Sequence, residues 1–305
     1  NVTGLADELA LRIVEELDYV REGRVQSEVA AAFADRVPEV IAQARAAGVR
    51  EPPGRTRVTV PAVYAATPRV LITRWLDGAS LSTLLDRRLD LLPEGWRELS
   101  PGGAADLAAR LLGQAIYAPA ACTGWMHADL HPGNFLLLPG GRLGMLDFGA
   151  VAAVPGGIPV PFGQLAAAVL AGDGTTAVRL ARQVGALAPD AEPDPRLILE
   201  LLHPMVATAA AGTFTYSRPW LRGLMAHFTE PRFAPALRTL TPPREYALVW
   251  RATLSAAGLY AQLGATVPTR GFHLAYSPGF RDGVLGAQRL IPRAAQAERK
   301  TGTDG

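Results

Sequence analysis

Between His127 and Gly149 the chain carries side chains whose order could support one of two chemistries. The segment HADLHPGN places His127, Asp129, His131 and Asn134 close together, and LDFG then brings Asp147, Phe148 and Gly149. On a strand, His127, Asp129 and His131 would alternate onto one face, and three such ligands could hold zinc. Pro132-Gly133 forces a turn directly afterwards, and His203, His227 and His273 fall in unrelated helical or loop contexts, so the zinc reading is the weaker one. Phosphoryl transfer accounts for more residues. In the order His-x-Asp-x-x-x-x-Asn followed by Asp-Phe-Gly, Asp129 faces an acceptor hydroxyl or water. The amide oxygen of Asn134 and the carboxylate of Asp147 are then the magnesium ligands beside the nucleotide phosphates. Oxygen donors suit a hard cation. His127 is expected to brace the loop through hydrogen bonds.

These residues need rigid supports. Phe135 to Leu138 and Leu143 to Leu146 are apolar runs around PGGR, which predicts a hairpin with Asn134 at one end and Asp147 at the other. A helix from about Ala104 to Ala118 is expected to deliver the chain to this segment. Upstream, Leu5, Leu9, Ile13, Leu17, Val20, Val29 and Phe33 have helical spacing from Thr3, a plausible N-cap, to about Ala34. On that helix Asp18 and Glu22 would share a face, whereas Glu16 would point away. Charges on such a helix ordinarily form a solvated face. The break REPPGRTR ends a second short helix. RVTVPAVYAA and RVLITRW then read as two strands around Thr67-Pro68, and Asp77-Gly78 turns the chain into another short helix. Beyond Pro161, four stretches ending with REYALVWRATLSAAGLYAQLG have i, i+3, i+4 apolar spacing, and the last dozen residues read as a frayed tail.

Composition bounds the possibilities. The 305 residues are 49% hydrophobic with a formal charge of +2, which suits a globular core and argues against a basic nucleic-acid-binding face. The single cysteine, Cys122, excludes an internal disulfide and fits a reducing compartment. No stretch reads as the roughly 20 apolar residues that a spanning helix needs. The expectation is a cytoplasmic chain, with peripheral attachment at the inner face of a membrane left open. Lys300 is the only lysine.

HADLHPGN with LDFG, preceded by EELDYVRE, resembles the AarF/UbiB atypical-kinase family, to which the mitochondrial ADCK proteins belong. VPAVYAATPRVLITRWLDGASL and PPREYALVWRATLSAAGLYAQLG resemble its hinge strands and its C-terminal helices. The resemblance implies an α+β, protein-kinase-like fold with a truncated N-lobe and a predominantly helical C-lobe. The expected divisions are 1–74 (partial N-lobe), 75–160 (hinge, catalytic loop and DFG hairpin), 161–293 (helical region) and 294–305 (tail). It further implies ATP and Mg2+ as cofactors, Asp129 as catalytic aspartate, and Glu22 as the counterpart of the kinase αC glutamate. Glu16 and Asp18 match the family's Glu-x-Asp signature, and Thr73, Trp75, Phe148 and Gly149 fall with Asn134 and Asp147 at nucleotide-contacting positions.

The implied role is that of an ATP-dependent kinase or ATPase supporting isoprenoid-quinone (ubiquinone) or other lipid metabolism, with a lipid or isoprenoid-type small molecule as partner. The alternatives are a phosphotransferase of the aminoglycoside/choline-kinase group and a catalytically inactive lipid- or partner-binding module. The departures are specific. No lysine lies upstream of Glu22 to pair with it, the family's Lys-x-Gly-Gln signature is missing, and Arg74 stands where the hinge usually has glutamate. These departures and the start at Asn1 favour a piece of a longer protein over a degenerate pseudokinase, and predict weak nucleotide affinity and little turnover for the 305 residues alone.

Overall fold

A computed structural model describes residues 18–49, 56–188, 190–241, 246–277 and 279–282. Glu16 and Thr3 lie outside the described residues. Helix α1 spans Tyr19–Ala34, and its N-cap is Asp18, with φ −85° and ψ 79° and a side chain that accepts the Arg21 N–H at 3.0 Å. An unbroken helix from Thr3 to Ala34 is therefore not formed. Apolar spacing runs straight through this point, but an aspartate that can satisfy a free amide of the first turn favours a helix start there.

Helix α2 (Arg36–Ala46) follows, and β1 (Val58–Thr59), β2 (Val63–Thr67) and β3 (Val70–Thr73) come next. RVTVPAVYAA thus contains two strands, split at Pro61, which cannot donate a ladder hydrogen bond. Instead the buried Gln26 side chain donates to the Pro61 carbonyl at 2.6 Å. β2 and β3 form an antiparallel hairpin on which α1 lies closely. A Cβ on Gly23 would stand 2.7 Å from the Ala66 Cβ and 3.1 Å from Leu71 Cδ1, so the helix reaches this distance only with glycine there.

The main sheet has the order β1-β7-β6-β4, with β4 at Ala79–Ser80, β6 at Phe135–Leu138 and β7 at Arg142–Met145. Its β6–β7 unit is the expected hairpin, in register Phe135 to Met145. Short helix α3 (Leu81–Leu85) leads to α4 (Pro101–Thr123), which is longer than the expected Ala104 to Ala118. Ser100 caps its start by accepting the Gly103 N–H, Pro119 sits inside it, and left-handed Gly124 (φ 76°) ends it. Every residue from Leu111 to Ala120 is buried, as befits a helix that is apolar all round and packed on several sides.

β5 (Trp125–His127) leaves α4 and pairs with β8 (Val151–Ala153). The remainder is helical: α5 (Val160–Leu170), α6 (Gly174–Gln183), α7 (Pro195–Ala210), α8 (Arg218–Phe228), α9 (Ala234–Thr239), α10 (Ala247–Leu263) and α11 (Thr269–Tyr276). A small β9–β10 pair (Phe214–Thr215 with Thr266–Val267) ties this region together, and α10 and α11 return against α4. One continuous core runs from Val25 in α1 through α4 to Tyr276 and Phe280.

Candidate active site

Two antiparallel pairs frame the cluster. In β5–β8, His127 faces Val151 and the Ala128 amide donates to the Ala150 carbonyl at 3.0 Å. In β6–β7, Phe135 faces Met145 and the Leu146 amide donates to the Asn134 carbonyl at 2.8 Å. Asp129 follows β5, Asn134 precedes β6, Asp147 follows β7 and Gly149 precedes β8, so four chain ends converge on one opening.

His127 is 1% exposed and both ring nitrogens are occupied. Nε2–H donates to the Leu146 carbonyl at 3.1 Å, and Nδ1 accepts the Asp129 N–H at 3.3 Å. That bonding needs one neutral tautomer, and burial lowers the imidazole's pKa in the same direction. The ring centroids of Phe135 and Phe148 each stand 5.7 Å from that of His127, packing the imidazole on two sides. His131 is also turned to backbone, its Nδ1 accepting the Gly133 N–H at 3.1 Å. Among the described residues no group of three His, Cys, Asp or Glu side chains could hold a metal.

Asn134 donates through Nδ2 to Asp129 Oδ2 at 2.9 Å and to the Asp129 carbonyl at 3.2 Å. The amide is thereby oriented, and its Oδ1 takes part in none of the hydrogen bonds given for the described residues. Asp147 has φ +55°, a left-handed conformation that a non-glycine residue adopts at a cost, and its Oδ1 accepts the Gly149 N–H at 3.1 Å. Backbone strain at a carboxylate between two short strands fits a position set by the site.

Glu22 reaches this cluster from α1. Its Oε1 accepts the Phe148 N–H at 3.1 Å, while Phe148 itself is buried. Burial raises the Glu22 pKa, the Phe148 amide pulls it back down, and the Asp147 charge raises it further. A second tether holds α1 here. Trp125 Nε1 donates to Glu28 Oε2 at 2.7 Å, with the Arg21 and Arg24 guanidiniums over the indole at 5.6 and 5.7 Å.

The other expected residues are placed differently. Asp18 turns to the Arg21 amide. Thr73 ends β3 opposite Val63, and Trp75 stands 87% exposed just beyond it. No hydrogen bond given for the described residues ties either of them to Asp129 or Asp147. One residue went unnoticed in the sequence: Arg251 of α10 brings Nη2 to 3.9 Å from Asp129 Oδ1. Both groups are partly exposed, so the attraction is modest. No local pattern marks that arginine among the many others.

A family model for the ABC1 atypical kinase-like domain matches residues 1–180. The chain belongs to the ABC1 atypical kinase-like family. This is the family to which the HADLHPGN and LDFG segments pointed. Among curated relatives, the chain is 28% identical over 159 residues to the chloroplastic protein Activity of BC1 Complex Kinase 3 of Arabidopsis thaliana, covering 51% of this chain and 18% of that protein. It is 30% identical over 159 residues to Activity of BC1 Complex Kinase 1 of the same plant, again covering 18% of the relative's length. The match therefore spans less than a fifth of these relatives. Among solved structures, the Rv3197–erythromycin complex from Mycobacterium tuberculosis superposes with a TM-score of 0.71 at 28% identity, over 92% of this chain and 63% of that one. The fold is accordingly α+β and kinase-like, with a mostly helical C-terminal part. No helix among the described residues is long and apolar enough to cross a membrane.

Proposed function

We propose that this ABC1 domain binds ATP with Mg2+ and transfers the terminal phosphoryl group to water or a small acceptor. The carrying observation is the bonded pair of Asp129 and Asn134 beside Asp147, held by the β5–β8 and β6–β7 ladders. The donor set fits a hard cation, since Asn134 Oδ1 and the Asp147 carboxylate are oxygen atoms and both histidines are engaged by backbone. Asn134 and Asp147 would hold Mg2+, which, when bound, neutralises charge on the phosphate oxygens.

The remaining roles fall to side chains of this chain. Asp129 Oδ2 is occupied by the Asn134 amide, so Oδ1, which Arg251 approaches to 3.9 Å, would accept the proton of an attacking hydroxyl. His127 keeps the loop in register. Glu22 holds the Phe148 amide and so sets the position of the neighbouring Asp147. Phe148 and Gly149 shape the floor, and Thr73 and Trp75 would meet the base at the hinge. Glu16 and Asp18 are carried as a family-specific gate. The divisions 1–74, 75–160, 161–293 and 294–305 belong to the same reading, as does support of isoprenoid-quinone or other lipid metabolism.

The one lysine in these 305 residues, Lys300, comes after every candidate site residue in the sequence. A kinase-like site takes its lysine from a strand ahead of the Glu22 helix, so affinity for ATP should be weak. The test is a thermal-shift titration with Mg-ATP on the chain and on Asp147→Asn. A rise in melting temperature at millimolar Mg-ATP that Asp147→Asn removes supports the reading, and no shift at any concentration sinks it. A micromolar dissociation constant would overturn the prediction of weak grip.

A further inference from the structure

A second concave site lies in the helical region, apart from the carboxylate cluster. A cavity of about 240 Å³ is enclosed by α4, α5, α7, α8, α10 and α11, and none of Asp129, Asn134 or Asp147 lines it. Leu254 belongs to the lining and is 44% exposed, so the cavity has a mouth at the surface.

The elements around this space are closely packed elsewhere. A Cβ on Gly113 of α4 would stand 2.7 Å from the Phe272 ring of α11. On Gly163 of α5 it would meet the Phe280 backbone nitrogen at 1.8 Å, so those two segments touch through their backbones. Space remains where α5, α7 and α10 each set an alanine on the lining, at Ala166, Ala209 and Ala257. Folded interiors keep few voids larger than a water molecule, because the atoms around an empty space lose contacts. A larger side chain at any of these three positions would take up part of the gap.

The walls are apolar. Among the described residues no Asp, Glu, Lys or Arg lines the cavity. The imidazole of His273 is buried and its pKa is lowered to about 4, so it is neutral at ordinary pH. Two of the lining hydroxyls are spent on backbone: Thr208 donates to the Met205 carbonyl at 2.6 Å, and Thr253 to the Val249 carbonyl at 2.9 Å. Aromatic rings supply much of the remaining surface. Phe162 packs against Tyr246 at 4.9 Å and Trp250 at 6.4 Å, and Tyr216 packs edge-on against Trp220 at 4.9 Å.

We infer that this cavity is a binding site for an uncharged, predominantly apolar small molecule larger than benzene. Its size and its walls both point there. An apolar cavity of about 150 Å³ already stays dry and takes up benzene. Concave spaces between helices, lined by apolar and aromatic side chains, are where small apolar ligands bind. An ionised ligand would exchange its hydration for walls that offer no countercharge. A peptide segment would bring backbone donors and acceptors that these walls leave largely unpaired.

The test compares two fluorescent probes on the full chain in solution. One is the neutral N-phenyl-1-naphthylamine; the other is 1-anilinonaphthalene-8-sulfonate, which adds a sulfonate to the same ring system. The neutral probe should bind saturably at one equivalent, with enhanced, blue-shifted emission, and should raise the melting temperature. The sulfonate should bind about tenfold more weakly or worse. Ala166→Phe and Ala257→Phe fill the space from two different helices, and each should weaken the neutral probe about tenfold or more. Where one of them fails to fold, the other decides, and the comparison of the two probes on the wild type stands without either. Non-saturable uptake, equal affinity for the two probes, or unchanged affinity in a folded filled variant overturns the inference. Asp147→Asn should leave probe affinity unchanged, so the outcome here and the outcome for ATP are read separately.

Discussion

The opening at Asp129 and an apolar chamber of about 240 Å³ enclosed by α4, α5, α7, α8, α10 and α11 are built from neighbouring parts of the same chain and obey opposite rules. The opening gathers Glu22, Asp129 and Asp147 around short strands, and a few directional hydrogen bonds place each group. The chamber has no charged lining residue and is held by packed helices and aromatic contacts. β5 joins the two, with His127 bracing the opening and the preceding Met126 lining the chamber. α10 does so again, with Trp250 in the chamber wall and Arg251 beside Asp129. A polar site of this kind is fragile to the loss of one atom, whereas an apolar chamber responds to volume and to introduced charge.

Four measurements would break or sharpen that contrast. The largest effect is expected for Asp129→Asn, which keeps size and removes the proton acceptor. Turnover of ATP should fall by about a hundredfold or more with little change in melting temperature. A comparable loss of stability would make Asp129 a structural group instead.

The chamber should show its character in acid. Because the folded-state pKa of His273 is depressed to about 4 from 6.5, the unfolded chain binds its proton first. Stability from this residue is therefore complete above about pH 6.5 and declines as pH falls toward 4. At about 1.36 kcal/mol per unit, the decline is on the order of 3 kcal/mol. Urea unfolding across that range should show it, and His273→Phe should flatten the slope.

Gly23→Ala comes third. The added methyl meets Ala66 at 2.7 Å, so α1 must back away from the β2–β3 hairpin, at a cost of about 1–2 kcal/mol. Chemical denaturation would measure this, and any Mg-ATP shift should shrink as Glu22 moves. The smallest effect is at Glu22 itself. Its pKa is raised, chiefly by burial, so its ionised form opposes folding above that value. In magnesium-free buffer, Glu22→Gln should raise the melting temperature slightly at pH 7. The gain should disappear as pH falls through the raised pKa toward 4.5, where the wild-type carboxyl takes up its own proton.

Legibility in the sequence followed the range of the interactions. The β6–β7 hairpin was readable because two apolar runs flank PGGR, and its pairing carries the Asn134 backbone next to Leu146. The four long helical stretches beyond Pro161 were readable from spacing, and each forms a helix. β5 and β8 were not, because three-residue strands such as Trp125–His127 show no period and exist through each other. α8, α9 and α11 fall in the region 161–293 that was read as helical, but their own stretches were not picked out by spacing. The helix start at Asp18 was misjudged because capping competes with spacing and won. Thr73 and Trp75 were placed by resemblance to a hinge, and no polar contact of the described residues yet ties them to the cluster.

The sequence by itself determined the residue types that could do phosphoryl chemistry, their order, and the hairpin beneath two of them. Those properties are local, or are simple facts of composition. The tertiary structure alone decided that Glu22 meets the Phe148 amide, that Arg251 stands beside Asp129, and that six helices leave a cavity without a charged lining residue. Each of these depends on how separate elements pack, and packing is set by volume and contact across the core rather than by any pattern along the chain.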